Sequence, residues 1–147
     1  MNSEIEKSDD SPSFLLWQVL NLWQKNMRQA LQAVELTHVQ FILLIATDWL
    51  NRQCEQGDVT QAQIASYAHV EPMLASQVLR SLEKKGLLTR KEHSTDTRAK
   101  SIVLTEEGKQ LASQAFLIAQ QVDHSFIAKL GQEETDFIRL MKVLGTE

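Results

Sequence analysis

Residues 70–90 read Val70-Glu71-Pro72-Met73-Leu74-Ala75-Ser76-Gln77-Val78-Leu79-Arg80-Ser81-Leu82-Glu83-Lys84-Lys85-Gly86-Leu87-Leu88-Thr89-Arg90. Glu71-Pro72 opens a helix, because proline suits a first turn in which its missing N–H leaves no bond unmade. The helix runs to Lys85 and stops at Gly86, which can take left-handed backbone without a Cβ penalty. Leu74, Val78, Leu79 and Leu82 take the inward positions, with Ala75 at the edge. Met73, Ser76, Gln77, Arg80 and Lys84 form the opposite stripe, short and polar near the start and cationic later. Beyond Gly86 the period changes. Residues 87–92 and Lys100-Ser101-Ile102-Val103-Leu104 read as two short strands, joined by His93-Ser94-Thr95-Asp96-Thr97-Arg98-Ala99, a loop too long for a two-residue turn.

Upstream, Thr60-Gln61-Ala62-Gln63 is a capping box that opens a short helix with Ile64, Ala65 and Ala68 inward. The order short helix, tight turn, second helix and polar-tipped hairpin is that of a winged helix-turn-helix. Further upstream, Thr37-His38-Val39-Gln40 is another capping box, and its helix carries Phe41, Leu44, Ile45, Trp49 and Leu50 before fading between Asn51 and Asp58. A helix from Ser13 repeats Leu16, Leu20, Trp23, Met27, Leu31 and Val34 at three- and four-residue steps. Trp17, Val19 and Leu22 widen that stripe enough for cover on two sides. Thr105-Glu106-Glu107 caps a long helix marked by Leu111, Ala115, Ile118, Ala119, Val122, Phe126 and Leu130, Gly131 interrupts, and Glu133 to Leu144 forms a last helix. Residues 1–12 are polar and acidic and read as a mobile tail. The fold class is mainly α with a small β-hairpin wing: residues 36–104 form the winged unit, and residues 13–35 and 105–147 supply the flanking helices.

The 147 residues suit one domain, and 43% hydrophobic with 23% charged residues is ordinary for a globular protein. Five Gly and two Pro leave room only for short loops. The longest aliphatic run, Phe41 to Ala46, is far below the roughly 20 residues that span a bilayer. The acidic start is unlike a signal peptide. A single cysteine, Cys54, excludes an internal disulfide framework and fits a reducing compartment, so a cytoplasmic protein without membrane contact is expected. The net charge of −4 hides an asymmetry. Residues 60–104 hold seven cations against four anions, a net +3, while the remaining eight cations face fifteen anions, a net −7. Such a distribution can turn one face to a polyanion and keep the rest away.

Each side chain of the outward stripe has a role it can play on a duplex. Ser76 and Gln77 can bond base edges, Met73 can touch a thymine methyl, and Arg80 and Lys84 can bind phosphate oxygens. Thr60 and Gln61, at the start of the first helix of the motif, are further candidates. In the hairpin, Arg98 can enter a narrow minor groove with Asp96 holding its guanidinium, while Arg90, Lys91 and Lys100 reach phosphates. A solvated amphipathic face and a salt-bridged hairpin are the plainer readings of the same residues.

The run from Val70 to Arg90, followed by Asp96-Thr97-Arg98 and Val103-Leu104-Thr105-Glu106-Glu107-Gly108, resembles the MarR family of bacterial transcriptional regulators. Leu36-Thr37-His38-Val39-Gln40-Phe41 is similar to that family's second-helix opening, and the resemblance covers roughly Leu15 to Leu144. It implies a homodimer with interlaced terminal helices, binding a palindromic double-stranded DNA operator, as a repressor, with half-sites about 34–36 Å apart. It also implies release by a small aromatic or phenolic effector bound between the dimer helices and the winged unit. Pro72 and Ala75 depart from residues often found in relatives, so no relative's operator carries over.

Other chemistries find less support. There is no Gly-rich phosphate loop and no Gly-x-Ser-x-Gly, so an enzyme and a bound cofactor are not expected. Cys54, His38, His69, His93 and His124 are scattered without metal-ligand spacing, and no metal site is expected. Redox sensing at Cys54, a metal-responsive regulator of the same fold, and a winged module that binds only protein are alternatives. Trp17, His38, Phe41, Trp49 and Phe116 are candidate lining for an effector pocket, against ordinary core and dimer packing.

Overall fold

A computed structural model describes residues 10–54, 58–92, 95–96 and 100–147. Its elements in chain order are α1 (Pro12–Leu31), α2 (His38–Gln53), α3 (Gln61–Ala68), α4 (Pro72–Lys84), β1 (Leu88–Glu92), β2 (Lys100–Leu104), α5 (Glu106–Ile127) and α6 (Glu134–Leu144). The fold is therefore mainly helical with a two-stranded antiparallel hairpin, as the element order predicts. Local signals set the boundaries. Both expected capping boxes form, the Thr37 and Thr60 hydroxyls accepting from the Gln40 and Gln63 N–H groups while the two glutamine amides accept in return. Gly86 ends the α4 region at φ 77°.

α2 is the centre of the packing. It contacts α1, α3, α4, α5 and β2, and its Leu43, Leu44 and Thr47 are fully buried. The Thr47 hydroxyl donates to the Leu43 carbonyl at 2.7 Å, so the polar atom at the middle of the core is satisfied. Met27 and Leu31 of α1, Ile64 of α3, Leu79 and Leu82 of α4, Leu88 and Ile102 of the hairpin, and Ala112 and Ala115 of α5 complete the core.

The helix expected from Ser13 through Val34 is α-helical from Pro12 to Leu31 and continues as a short 3-10 turn over Gln32–Val34, after which Glu35 at φ 54° redirects the chain. Its first half, including Leu16, Trp17 and Leu20, is exposed in the single chain because only the turns from Trp23 onward meet α2 and α5. On α4, Leu74 was placed inward and Ala75 at the edge; instead Ala75 is fully buried and Leu74 is 42% exposed. At 3.6 residues per turn, Ala75, Leu79 and Leu82 share one face, and the small Ala75 lets α4 approach α2 and α3 closely.

The join between α4, β1 and α5 depends on Gly108. The Thr105 N–H donates to the Leu87 carbonyl at 3.0 Å, and the Thr105 hydroxyl donates to the Gly86 carbonyl at 2.7 Å while accepting from the Gly108 N–H. A Cβ on Gly108 would lie 2.0 Å from the Leu87 carbonyl oxygen, a backbone atom that cannot rotate away. Gly108→Ala is therefore expected to lower stability by about 3 kcal/mol. Urea unfolding should show a lower midpoint with an unchanged slope.

Candidate nucleic-acid interface

α4 presents its polar stripe to solvent. Met73 is 72% exposed, and Gln77, Arg80 and Lys84 are exposed with it, at steps of four, three and four that keep them on one line. Ser76 lies at the flank of this line and is half-buried. Glu71 holds the helix start: its two carboxylate oxygens accept from the Met73 N–H at 3.1 Å and the Leu74 N–H at 3.2 Å. Helical spacing does not reveal this cap; its signal in the sequence is a carboxylate directly before a first-turn proline. At the other end, the Lys85 ammonium donates to the Glu35 carbonyl and to the Gln40 amide oxygen, and the Gln40 amide donates to the Ser81 hydroxyl at 3.1 Å. The exposed helix is thereby fixed to the N-terminal end of α2.

The hairpin stands beside it. Its register pairs Leu88 with Leu104, Arg90 with Ile102 and Glu92 with Lys100. Lys91 and Lys100 are exposed, and so is Asp96 near the tip. Arg98, the tip guanidinium expected to enter a minor groove, lies outside the described residues, as do His93 and Thr97. Arg90 is placed differently from its expected role on phosphate. It shares the inner side of the hairpin with Ile102, its side chain is 20% exposed, and its Nε lies 3.8 Å from Glu83 Oε1 of α4. Nε and Nη2 are both shielded from solvent. Strand alternation turns Arg90 to the inner side and Lys91 outward, so Arg90 braces hairpin against helix. Thr60 and Gln61 are half-buried; the Thr60 hydroxyl caps α3, and Thr60 bridges to Ser101 of β2.

The five residues expected to line an effector pocket take different environments within the single chain. Phe41 is buried in the core, while Trp17, Trp49 and Phe116 are exposed. His38 and Trp49 sit eleven residues apart on α2, about 16 Å along its axis. Two cavities open on the described surface, one of about 350 Å³ between α1 and α5 near Ala30 and Val122, the other of about 660 Å³ between the end of α2 and α3 near Cys54 and Tyr67. Neither is lined by any of the five. Among the described residues no three His, Cys, Asp or Glu side chains gather where they could share a metal ion.

What His38 does meet is Trp23. The rings stand edge to face with centroids 5.0 Å apart, and the Trp23 indole N–H donates to Asp123 Oδ1 at 2.9 Å. This cluster joins α1, α2 and α5. Burial pushes the His38 pKa below the usual 6.5, outweighing the Asp123 carboxylate that raises it, and Arg28 lowers it further.

These elements have counterparts in known proteins. The family model of the ArnR1-like winged-helix domain matches residues 32–121. YdcH of Bacillus subtilis strain 168, an uncharacterised HTH-type transcriptional regulator, is 35% identical over 146 residues, covering 99% of this chain and 98% of its own. The chain belongs to the MarR family of winged-helix transcriptional regulators. The S. aureus MepR–DNA complex superposes with a TM-score of 0.77 at 26% identity, over 91% of this chain and 96% of that one. Rv2887 of Mycobacterium tuberculosis, an HTH-type transcriptional repressor, is 28% identical over 95% of this chain and 98% of its own. Its salicylic acid complex superposes with a TM-score of 0.69 at 26% identity, over 92% and 96%. This MarR-family chain is thus a DNA-binding regulator, and its family is not one of enzymes.

Since burial in the MarR-family fold lowers the His38 pKa, the unfolded chain binds that proton more tightly. Stability is then lost as pH falls below the ordinary histidine value of 6.5 toward the lowered one. Thermal unfolding between pH 7.5 and 5.5 should show wild type losing midpoint faster than His38→Gln; parallel curves would remove His38 from the pH response.

Proposed function

We propose that this chain is a homodimeric repressor that binds a two-fold symmetric duplex operator, with α4 in the major groove and the hairpin along the adjacent backbone and minor groove. The observation that carries this reading is the exposed line Met73, Gln77, Arg80 and Lys84 on a helix whose opposite face is locked into the core. Gln77 then reads a base edge and Met73 a thymine methyl, while Arg80, Lys84, Lys91 and Lys100 meet phosphates. Arg98 at the tip and Asp96 beside it belong to the same reading, as do Ser76, Thr60 and Gln61 at the margin. The repressor assignment is supported by the name of Rv2887, and duplex binding by the MepR complex.

Dimerisation is supported by the uncovered apolar side chains at the two ends of the chain. Leu16 and Trp17 of α1 and Leu140, Met141 and Leu144 of α6 are all exposed, a combination costly to leave in water. Residues 13–35 and 105–147 therefore supply the dimer helices, and residues 36–104 the DNA-binding unit. Two-fold symmetry sets recognition helices about 34–36 Å apart, one helical turn of DNA. A small aromatic or phenolic acid is the effector class favoured by the salicylic acid bound to Rv2887. The five aromatic and histidine positions scattered in one protomer lend that effector no shared pocket within a single chain.

Duplexes selected from a random pool test the DNA-binding reading, with fluorescence anisotropy at several salt concentrations. Arg80→Ala should weaken binding to every sequence alike and lower the salt slope by about 1, while Gln77→Ala should relax preference at one position by about 1–3 kcal/mol. Binding that does not fall with salt would exclude the mechanism. For the dimer, sedimentation of the wild type at micromolar concentration should show a single species of twice the chain mass. A charge at Trp17 (Trp17→Glu) should shift it toward the monomer.

A further inference from the structure

We propose that Asn51 is the positioning residue for the wing, holding the hairpin at the angle that duplex binding needs. The inference rests on the DNA-binding reading above and assigns to the last turn of α2 a role that its polar composition conceals. The Asn51 side-chain N–H donates to the Ile102 carbonyl at 2.9 Å, and its amide oxygen accepts from the Leu104 N–H at 3.1 Å. These are the outward-facing groups of β2, on the edge away from β1. On the same edge the Ile102 N–H donates to the Val59 carbonyl at 2.7 Å, and Thr60 bridges to Ser101. A short backbone segment therefore begins a third strand on β2, and the carboxamide of Asn51 continues it, pairing both donor and acceptor as a peptide group would.

The consequence is mechanical. A two-stranded hairpin is marginal by itself and takes its orientation from what its root is fixed to. Here the root of β2 is fixed to α2 by a part-buried side chain that satisfies two ladder positions at once. The other end of α2 is fixed to the exposed helix α4 through Gln40 and Ser81. One rigid helix, tied at both ends, thus sets the distance and tilt between the recognition helix and the wing. Asn51 touches no nucleic acid in this scheme; it acts through Lys91, Lys100 and the hairpin tip.

Asn51→Ala and Asn51→Asp, studied as full-length protein far below the unfolding midpoint, test this. Asp keeps the acceptor for Leu104 but sets a carboxylate against the Ile102 carbonyl. Both variants should weaken binding to a pool-selected duplex roughly tenfold with an unchanged helical signal, and amide exchange should accelerate in residues 88–104 but not in α4. Combined with Lys91→Ala and Lys100→Ala, Asn51→Ala should add less than about threefold further loss, while with Arg80→Ala the losses should multiply. Losses that multiply with both, or wild-type affinity and unchanged hairpin exchange, would overturn the proposal. If wild type itself ignores every duplex, the DNA-binding reading fails; exchange confined to the hairpin would then still bear out the Asn51 tie, and its absence would refute it.

Discussion

The buried face of α2 holds α1, α3, α4, α5 and β2 around one core. Leu43, Leu44 and Thr47 have no contact with solvent, and five other elements pack around them. Truncating either leucine to alanine would cost on the order of 2–5 kcal/mol, a large part of the net stability of a domain this size. The helix also does more than fill space. Its N-terminal turn carries Gln40 to α4, His38 to Trp23 of α1 and, through that ring, to Asp123 of α5; its last turn carries Asn51 to β2. Movement of α2 against α1 and α5 cannot leave helix and hairpin where they were. A displacement at the Trp23–His38 contact would therefore be felt, through α2, at both the exposed helix α4 and the hairpin.

Electrostatics complement this geometry. The chain is acidic overall, and its positive excess lies between residues 60 and 104. The structure divides that excess by role. Arg80, Lys84, Lys91 and Lys100 stand exposed, whereas Lys85 is engaged with Glu35 and Gln40, and Arg90 is turned toward Glu83. Cations that hold the frame together and cations free to meet a polyanion are neighbours in sequence but point to different sides. A count of charges overstates the contact surface for that reason.

Features encoded within a few residues were legible in the sequence. The capping boxes at Thr37 and Thr60, the stop at Gly86 and the strand limits at Lys100–Leu104 each follow from bonds or backbone preferences spanning four residues or fewer. The line Met73, Gln77, Arg80 and Lys84 was legible because an outward stripe needs only helical spacing. The rotation of α4 was less so: Leu74 looks the better core residue, but the closeness of α2 and α3 makes the small Ala75 the one that fits. Asn51 was illegible, since its partners lie 51 and 53 residues away and its neighbours in sequence are polar. The environment of the aromatic positions was no easier to read: shared composition says nothing about convergence, and the helix turns Phe41 inward and Trp49 outward.

The exposed apolar side chains of α1 and α6 bear on the proposed dimer. Leu16, Trp17, Leu140 and Leu144 are all at least 49% exposed. A symmetric pair would cover them in both copies at once, removing apolar surface that a single chain leaves in water. That symmetry has a further consequence, because each α4 is fixed through α2 to the helices that would form the pair. The distance between recognition helices would then be a property of the dimer core, so substitutions far from the proposed DNA surface could alter the half-site spacing the pair accepts.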